Sequence, residues 1–350
     1  MKNLCILDIK KDSTTKNKIK DFRNTKFELV KNLTLANIKT NNVKDFPFAI
    51  LKNLQKLEIF DCDLLKNKNK KISKIINNLN NLEELYLSDQ TVDTIESDTF
   101  KHLNKLKILN LMFCKITRIN NKLLNNLADL EVLDISYNPL VIDDDAFKNL
   151  NKLKILNLNC TRLKNINSKL FESLINLEKL YLSRNRIEFL DDHAFKNLKK
   201  LKKLVLNDCN LNKISKKHFC TLNSLETLSV SENPIAESIN EEAFIHLAKL
   251  KKLFLNNCCM TNLNAKMFKN LSNLEELDIS NNQIVFTSDS TFKYLNKLRI
   301  LNLIDCNLKN INNNLLRNLT NLEELDLTDN PLVVHNDILR TLDRKIQIYV

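Results

Sequence analysis

The segments "KLRILNLIDCNL" (297–308) and "NLEELDLTDNPL" (321–332) share one apolar frame but carry different residues inside it. The leucines keep their spacing, whereas Arg299 in the first segment corresponds to Glu323 in the second, and Cys306 corresponds to Asn330. The frame, LxxLxL in its simplest form, recurs roughly every 24 residues. It begins at Leu4, Val30, Leu54, Leu82, Leu106, Leu130, Leu153, Leu177, Leu201, Leu225, Leu250, Leu274, Leu298 and Leu322.

Each copy of the frame predicts one short strand and one return segment. Apolar and polar residues alternate around the second and third anchors, which is the pattern of a strand. On the return segment, Phe195 and Leu198 are three residues apart, which is the spacing of a helical turn. A unit of this size cannot bury its own apolar side, so neighbouring copies must stack.

The frame, its period and the Asn or Cys that follows it resemble the leucine-rich repeat family, in the form with a phenylalanine on the convex side. The resemblance implies an α/β fold, a curved, horseshoe-shaped solenoid with a parallel β-sheet on the concave face and turns and short helices on the convex face. It covers 1–350 as a single solenoid of about 14 repeats. Repeats at 1–80 are irregular, those at 81–335 alternate between a Cys type and an Asn type, and 336–350 is a closing segment.

The position after each strand alternates in residue type. It reads Cys62, Gln90, Cys114, Asn138, Thr161, Asn185, Cys209, Asn233, Cys258, Asn282, Cys306 and Asn330. We expect a buried ladder in which each Asn amide is hydrogen-bonded, because an unpaired buried amide is costly. Cysteines on every second strand lie about 9.5 Å apart, which is too far for a disulfide or a shared metal. The sequence therefore predicts free thiols, no metal and no cofactor.

A second position alternates in charge. The first variable residue of each strand segment reads Lys107, Glu131, Lys154, Glu178, Lys202, Glu226, Lys251, Glu275, Arg299 and Glu323. Stacked in register, these residues form a row in which each charge lies beside opposite charges. Such a row neutralises itself and belongs to the scaffold.

The chain contains no glycine, which argues against enzymes that depend on glycine-rich loops. The five histidines lie in different repeats, outside the strand segments, and give no metal-binding or catalytic pairing. We therefore predict a protein that is not an enzyme, with no catalytic residues and no small-molecule substrate. Family members mostly bind other proteins on the concave sheet, so the resemblance implies an unidentified protein ligand.

The net charge of +12 leaves an alternative function, binding of nucleic acid or an anionic surface through convex-side lysines. The lysines do not interleave with aromatic residues as a base-stacking platform requires. A lysine- and asparagine-rich chain of paired repeats is also similar to multigene families such as those of insect poxviruses, whose partners would be host proteins. The chain has no signal-peptide pattern and no apolar run that could cross a membrane, so we expect a cytoplasmic location.

Two groups of outward-facing side chains are candidate partner-binding sites. The first patch consists of Tyr86, Met112, Phe113 and Tyr137, and the second patch of Tyr181, Arg184, Val205 and Phe254. Exposed Tyr, Phe and Arg are typical interface anchors, although the aromatic residues could also simply stack on one another across strands. The last segment, "IQIYV" (346–350), has the pattern of a closing strand whose uncovered edge could pair with another copy of the chain.

Overall fold

The computed structural model describes residues 4–8, 29–36, 48–60, 72–89, 95–235, 239, 241–286, 288–332 and 346–350. The chain divides into two compact units. The N-terminal unit consists of residues 1–163 and 173–177, and the C-terminal unit of residues 164–172 and 178–350. Each unit is a stack of parallel strands connected by turns and short helices, which confirms the predicted α/β solenoid.

The strands of the N-terminal unit are β1 (Leu4–Asp8), β2 (Asn32–Ala36), β3 (Lys56–Phe60), β4 (Glu84–Tyr86), β5 (Ile108–Asn110), β6 (Arg118–Ile119), β7 (Val132–Asp134), β8 (Val141–Ile142) and β9 (Ile155–Asn157). They form a parallel sheet in the order β1-β2-β3-β4-β5-β7-β9, and β6 pairs with β8 on the return path. A 3-10 turn (Phe48–Ile50) and helices α1 (Ile72–Ile76) and α2 (Asn121–Leu124) lie between strands.

The strands of the C-terminal unit are β10 (Asn165–Ile166), β11 (Lys179–Tyr181), β12 (Phe189–Leu190), β13 (Lys203–Val205), β14 (Thr227–Ser229), β15 (Lys252–Phe254), β16 (Asn262–Leu263), β17 (Glu276–Asp278), β18 (Val285–Phe286), β19 (Ile300–Asn302), β20 (Glu324–Asp326) and β21 (Gln347–Tyr349). The parallel sheet has the order β11-β13-β14-β15-β17-β19-β20-β21, and β10 pairs with β12 and β16 with β18. Its helices are α3 (Lys216–Phe219), α4 (Ala265–Phe268) and α5 (Asn313–Leu316).

The apolar frame forms the core of each unit. Equivalent leucines pair in register across neighbouring strands, as Leu180, Leu204 and Leu228 do, and all three are fully buried. Behind the sheet, the return segments contribute a spine of buried phenylalanines. Its members are Phe100 and Phe147 in the N-terminal unit, and Phe171, Phe195, Phe219, Phe244, Phe268 and Phe292 in the C-terminal unit.

The predicted charge row takes the form of separate ion pairs. Lys107 bonds Glu83 at 2.7 Å, and Lys202 bonds Glu178 at 2.9 Å. Lys154–Glu131, Lys251–Glu226 and Arg299–Glu323 follow the same pattern. The hydrogen bond that Lys202 donates to Glu178 is the main cause of the raised pKa of Lys202, and Glu226, its other acidic neighbour, adds a weaker Coulombic contribution. Each cation thus has one close partner, and the row is a surface feature of modest stability.

The alternation of Asn-type and Cys-type repeats corresponds to two kinds of junction. At the first kind, the Asn233 amide reaches back to the preceding Cys-type repeat. Its Oδ1 accepts the backbone N–H groups of Cys209 (3.0 Å) and Leu211 (2.9 Å), and its Nδ2 donates to the carbonyl of Leu206 (2.8 Å). Asn282 and Asn330 make the equivalent three bonds. One side chain therefore satisfies three backbone groups of its neighbour.

At the second kind of junction, the Cys-type repeat bonds back to the Asn-type repeat before it. The Cys209 thiol donates to the Leu182 carbonyl at 3.0 Å, and the Cys209 carbonyl accepts the N–H of Ile187 at 2.9 Å. Cys306 makes the same two contacts, with Ile279 and Ile284. At this junction the backbone carbonyl of the Cys residue accepts the N–H that the Asn side-chain oxygen would otherwise accept. A small thiol, which has no amide oxygen, therefore suffices at the ladder position.

The turns that follow the strands adopt left-handed backbone, although the chain has no glycine. The residue before each ladder position has φ between 47° and 62°. These residues are Asp89, Phe113, Tyr137, Cys160, Arg184, Asp208, Glu232, Asn257, Asn281, Asp305 and Asp329. In the described Cys-type repeats and the Thr161 repeat a second left-handed residue follows the ladder position, whereas three Asn-type repeats have proline there, at Pro139, Pro234 and Pro331. The two junction types therefore also differ in backbone.

His218 is a buried histidine at the first turn of α3, with only 4% of its surface exposed. Its Nδ1 accepts the backbone N–H of Ser215 at 3.3 Å, and its Nε2 lies 3.5 Å from Asp192 Oδ1. Burial lowers the pKa of His218, and the Coulombic attraction of Asp192 only partly opposes this effect. The folded protein therefore favours the neutral imidazole.

We predict that the free energy of unfolding decreases as the pH falls below about 6.5, the usual histidine pKa. In that range the unfolded chain binds the proton more tightly, so the slope contributed by His218 approaches at most about 1.4 kcal/mol per pH unit. The measurement is urea unfolding between pH 5 and pH 8. The control is His218→Gln, which keeps an acceptor for the Ser215 N–H but does not titrate. Equal pH slopes for the two proteins would contradict the prediction.

Candidate protein-interaction surface

Polar residues in the middle of the exposed strand surface have a structural role. The Asp134 carboxylate accepts the N–H (3.0 Å) and the hydroxyl (2.6 Å) of Ser136, two residues further on, and so fixes the end of its strand. Asp278 and Asp326 form the same motif, and the amide oxygens of Asn110, Asn157 and Asn302 accept the equivalent backbone N–H. Because an acceptor is useful at this position, a polar residue there needs no partner to explain it.

Aromatic or aliphatic residues at the same position cannot act as this acceptor. They are Tyr86, Tyr181, Val205 and Phe254, all partly exposed. Lys56 Nζ lies 4.9 Å from the ring centroid of Tyr86, and the Tyr86 hydroxyl lies 3.3 Å from Glu84 Oε2. Lys203 Nζ lies 5.5 Å from the ring centroid of Tyr181. Burial is the main cause of the raised pKa of both phenols, so both remain neutral near pH 7.

The structure brings two residues of the first patch into direct contact. The rings of Phe113 and Tyr137 stack with centroids 4.2 Å apart and planes at 20°, and the two residues remain 46% and 38% exposed. Met112 precedes Phe113 and is partly exposed, and its N–H donates to Asn110. Tyr86 faces the neighbouring strand on the other side, where it meets Lys56. The stacking across strands that the sequence left open therefore occurs for Phe113 and Tyr137.

Phe113 and Tyr137 also carry unfavourable backbone geometry. Both have left-handed φ, at 57° and 55°. Six of the nine other described repeats place Asp or Asn at this turn position, as in Asp208, Asn257 and Asn281, and these residues tolerate left-handed backbone best among non-glycine residues. Phe113 and Tyr137 occupy equivalent positions of neighbouring repeats. Both therefore have a backbone conformation that is unfavourable for aromatic residues, and both side chains remain exposed.

An apolar strip lies on the same sheet and was missed from the sequence. Ile108, Val132 and Ile155 are the first residues of β5, β7 and β9, and they pair in register across the three strands. All three are partly exposed. The first and third residues of a three-residue strand point to the same side. The apolar first residues of these strands are therefore the sequence signal for this strip.

The second patch lies on the C-terminal unit. Tyr181, Val205 and Phe254 occupy one row of the sheet, with Ser229 between Val205 and Phe254. Arg184 follows in a turn with φ 58° and is exposed. Lysines that the sequence analysis overlooked form the adjacent row, at positions 179, 203 and 252. The second patch is therefore aromatic with a cationic border.

The ladder cysteines that the structure describes are buried thiols. Cys114, Cys209, Cys258 and Cys306 are buried and free, and burial raises the pKa of Cys258 and of Cys306 to about 12. Cys62 lies outside the described residues. Within the described part of the chain, no three His, Cys, Asp or Glu side chains are grouped so that they could hold a metal ion. Over the same residues, no helix has the length and apolar character needed to cross a membrane.

The ladder asparagines are bonded as follows. The Nδ2 of Asn138 donates to the carbonyls of Leu111, Ile135 and Ser136 at 2.8–3.0 Å, and its Oδ1 accepts the N–H of Ile116 at 3.0 Å. Asn185 donates to the Leu182 carbonyl at 2.7 Å. These contacts stabilise the turns that carry Phe113, Tyr137 and Arg184, so the ladder supports both patches.

Comparison with known proteins identifies the repeat. The sequence model of a family described as leucine rich repeat matches residues 80–140, 140–187, 175–235, 236–284 and 272–332. No curated protein matches the chain. The comparisons give no support to the similarity with insect-poxvirus families.

Several solved structures share the fold. An internalin from Listeria monocytogenes, InlF, is 22% identical with a TM-score of 0.74, over 92% of this chain and 87% of that chain. A leucine-rich repeat protein of Leptospira interrogans is 24% identical with a TM-score of 0.74, over 92% and 90% of the two chains. TLR13, in a complex with ssRNA13, is 25% identical with a TM-score of 0.70, over 85% of this chain and 43% of that chain. The present chain therefore spans less than half the length of TLR13.

Proposed function

The chain belongs to the leucine-rich repeat family, and from this premise we propose that it is a non-enzymatic scaffold that binds a protein partner on the outward side chains of its strands. Repeat solenoids present extended surfaces of this kind. Each patch is a candidate contact site on its own unit, supported from behind by the ladder and the phenylalanine spine of that unit.

The stacked pair of Phe113 and Tyr137 carries the proposal. The pair is exposed, it is aromatic, and it occupies backbone that six of the nine other described repeats give to Asp or Asn. Left-handed geometry costs an aromatic residue about 1–2 kcal/mol, and the stacking returns only about 0.5–1.5 kcal/mol. Stability alone therefore does not account for this choice of residues, whereas binding does, because buried aromatic anchors dominate protein interfaces.

The test is the double substitution Phe113→Asn and Tyr137→Asn. Asparagine is the residue that the chain itself uses at the equivalent positions 257 and 281, so the variant should fold with unchanged or slightly higher melting temperature. Loss of two anchors should weaken partner binding by about 30-fold or more. The measurement is quantitative capture of proteins from an extract of the source cells, together with a melting curve.

The matched control is Phe189→Asn, which removes an exposed phenylalanine from the return path. Proteins that bind the wild type and the Phe189→Asn variant, but not the double variant, are the expected partners. Unchanged capture by the double variant would remove the first patch from the interface. A large drop in its melting temperature would show that the pair is structural.

A further inference from the structure

One strip of the N-terminal unit carries more carboxylates than cations, although the chain has a net charge of +12. We define the N-face as the outward side chains of residues 83–89, 107–113, 131–137 and 154–160, on and beside β4, β5, β7 and β9; the exposed cations Lys115 and Arg162 lie just beyond it. Its charged residues are five carboxylates and two lysines, namely Glu83, Glu84, Asp89, Glu131, Asp134, Lys107 and Lys154. Within these bounds the carboxylates outnumber the cations, which suits a cationic partner.

Both lysines of the N-face are already used within the protein. Lys107 bonds Glu83 at 2.7 Å, and Lys154 bonds Glu131 at 2.7 Å. Glu84 lies 3.4 Å from Lys56 of the preceding strand. Among the described residues, Asp89 and Asp134 are then the carboxylates of the N-face that have no cation within 4 Å.

Asp134 is held in a fixed orientation. Its Oδ1 accepts the N–H and the hydroxyl of Ser136, and its Oδ2 accepts from Asn157 Nδ2 at 2.9 Å. All three donors are uncharged, and the carboxylate is partly exposed. A carboxylate with two oxygens has room for a further donor, and a guanidinium or ammonium group is the strongest available.

Asp89 lies in the same row of turns as the stacked pair. Its N–H donates to the Met112 carbonyl at 3.0 Å, and the N–H of Phe113 donates to the Ser136 carbonyl at 3.2 Å, so successive repeats place Asp89, Phe113 and Tyr137 side by side. An exposed carboxylate one repeat away from a stacked aromatic pair is an arrangement that attracts a cation, since carboxylates and ring faces both favour one.

We propose that the N-face binds a basic protein segment, one that places arginine or lysine side chains against Asp89, Asp134 and the Phe113–Tyr137 pair. An aliphatic side chain of the same segment packs on the strip formed by Ile108, Val132 and Ile155. The inference rests on the proposed function and specifies the chemistry of the partner. A nucleic acid is disfavoured on this face, because its phosphates would meet uncompensated carboxylates.

The probe is a displayed library of random 12-residue peptides, selected on the full chain and then synthesised for titration. The expected result is enrichment of arginine or lysine together with an aliphatic residue, and affinity that falls as salt is raised. The variant Asp89→Asn with Asp134→Asn should weaken the selected peptides at least 10-fold. Asn keeps the fold, because Asn257 has the same left-handed turn and Asn110 and Asn157 accept the same strand-end N–H.

The matched control is Asp208→Asn with Asp278→Asn, the same changes at equivalent positions of the C-terminal unit, which should leave the affinity unchanged. Three results would overturn the inference. The selected peptides could be neutral or acidic, or the Asp89→Asn, Asp134→Asn variant could bind them as the wild type does. Displacement of the peptides by a 20-nucleotide RNA would also overturn it. If neutral or acidic peptides are selected and they lose binding to the Phe113→Asn, Tyr137→Asn variant, the proposed function stands and only the partner chemistry is wrong. If they bind that variant normally, the proposed function fails at this patch.

Discussion

Replacement of Phe195 by alanine should lower the free energy of unfolding by about 3–5 kcal/mol, the range observed when a buried phenylalanine is truncated. Phe195 is fully buried, and its ring stacks on that of Phe171 with centroids 6.2 Å apart and planes at 12°. Its carbonyl accepts the N–H of Leu198 at 3.0 Å, a backbone bond that the substitution leaves in place. A cavity at this position affects the contacts of two neighbouring repeats, because each spine residue packs between them.

Phe189, six residues earlier in the same repeat, provides the control. It is 53% exposed and lies in β12, on the return path. Replacement by alanine should change the free energy of unfolding by less than about 1 kcal/mol, as is usual for surface positions. Urea unfolding followed by circular dichroism compares the two variants. Similar losses for both would show that the spine is not the main source of packing energy in the C-terminal unit.

The position of the spine and the sheet could be predicted because the responsible signal is local and repeated. Leu180, Leu204 and Leu228 recur at fixed spacing, and each is buried at the centre of its strand, as the apolar frame indicates. Phe195 follows the same logic on the return path. The division of the chain into two units has no such signal, since the frame continues unchanged through residues 153–201.

Only part of the candidate surface could be predicted from the sequence. The sequence predicts one patch for Tyr86, which lies in β4, and Phe113, which follows the neighbouring strand β5. In the structure Tyr86 contacts Lys56, whereas Phe113 stacks on Tyr137. The left-handed turn at Phe113 has no local sequence marker, because neither glycine nor Asn or Asp stands at that position. The direction of these side chains and the backbone strain at Phe113 therefore could not be predicted from the sequence.

The partial charge cancellation on the N-face illustrates the same limit. The sequence gives a list of lysines and carboxylates, and the alternation of Lys107 with Glu131 suggests neutral rows. Only the structure shows that Lys107 is taken by Glu83 and Lys154 by Glu131, which leaves Asp134 bonded to uncharged donors. The partner chemistry that we infer depends on this assignment of pairs rather than on the net charge.

The second large effect is expected at the ladder, where Asn233→Ala should lower the free energy of unfolding by about 3–5 kcal/mol. The substitution leaves the N–H groups of Cys209 and Leu211 and the carbonyl of Leu206 without their partner in a buried turn. Each unsatisfied buried group costs about 1–3 kcal/mol, and the bonds of Asn233 to its own turn, through the Val230 and Ser231 carbonyls, are lost as well.

Cys209→Ala is the matched substitution in the adjacent repeat, and it should cost only about 1 kcal/mol, the net value of one ordinary hydrogen bond. The Cys209 carbonyl, which accepts the Ile187 N–H at 2.9 Å, belongs to the backbone and survives the change. The chain can therefore alternate the two residues, because only one of the two junctions depends on a side-chain amide. Urea unfolding of both variants measures the difference, and equal losses would mean that the two junctions are equivalent and that the alternation has another cause.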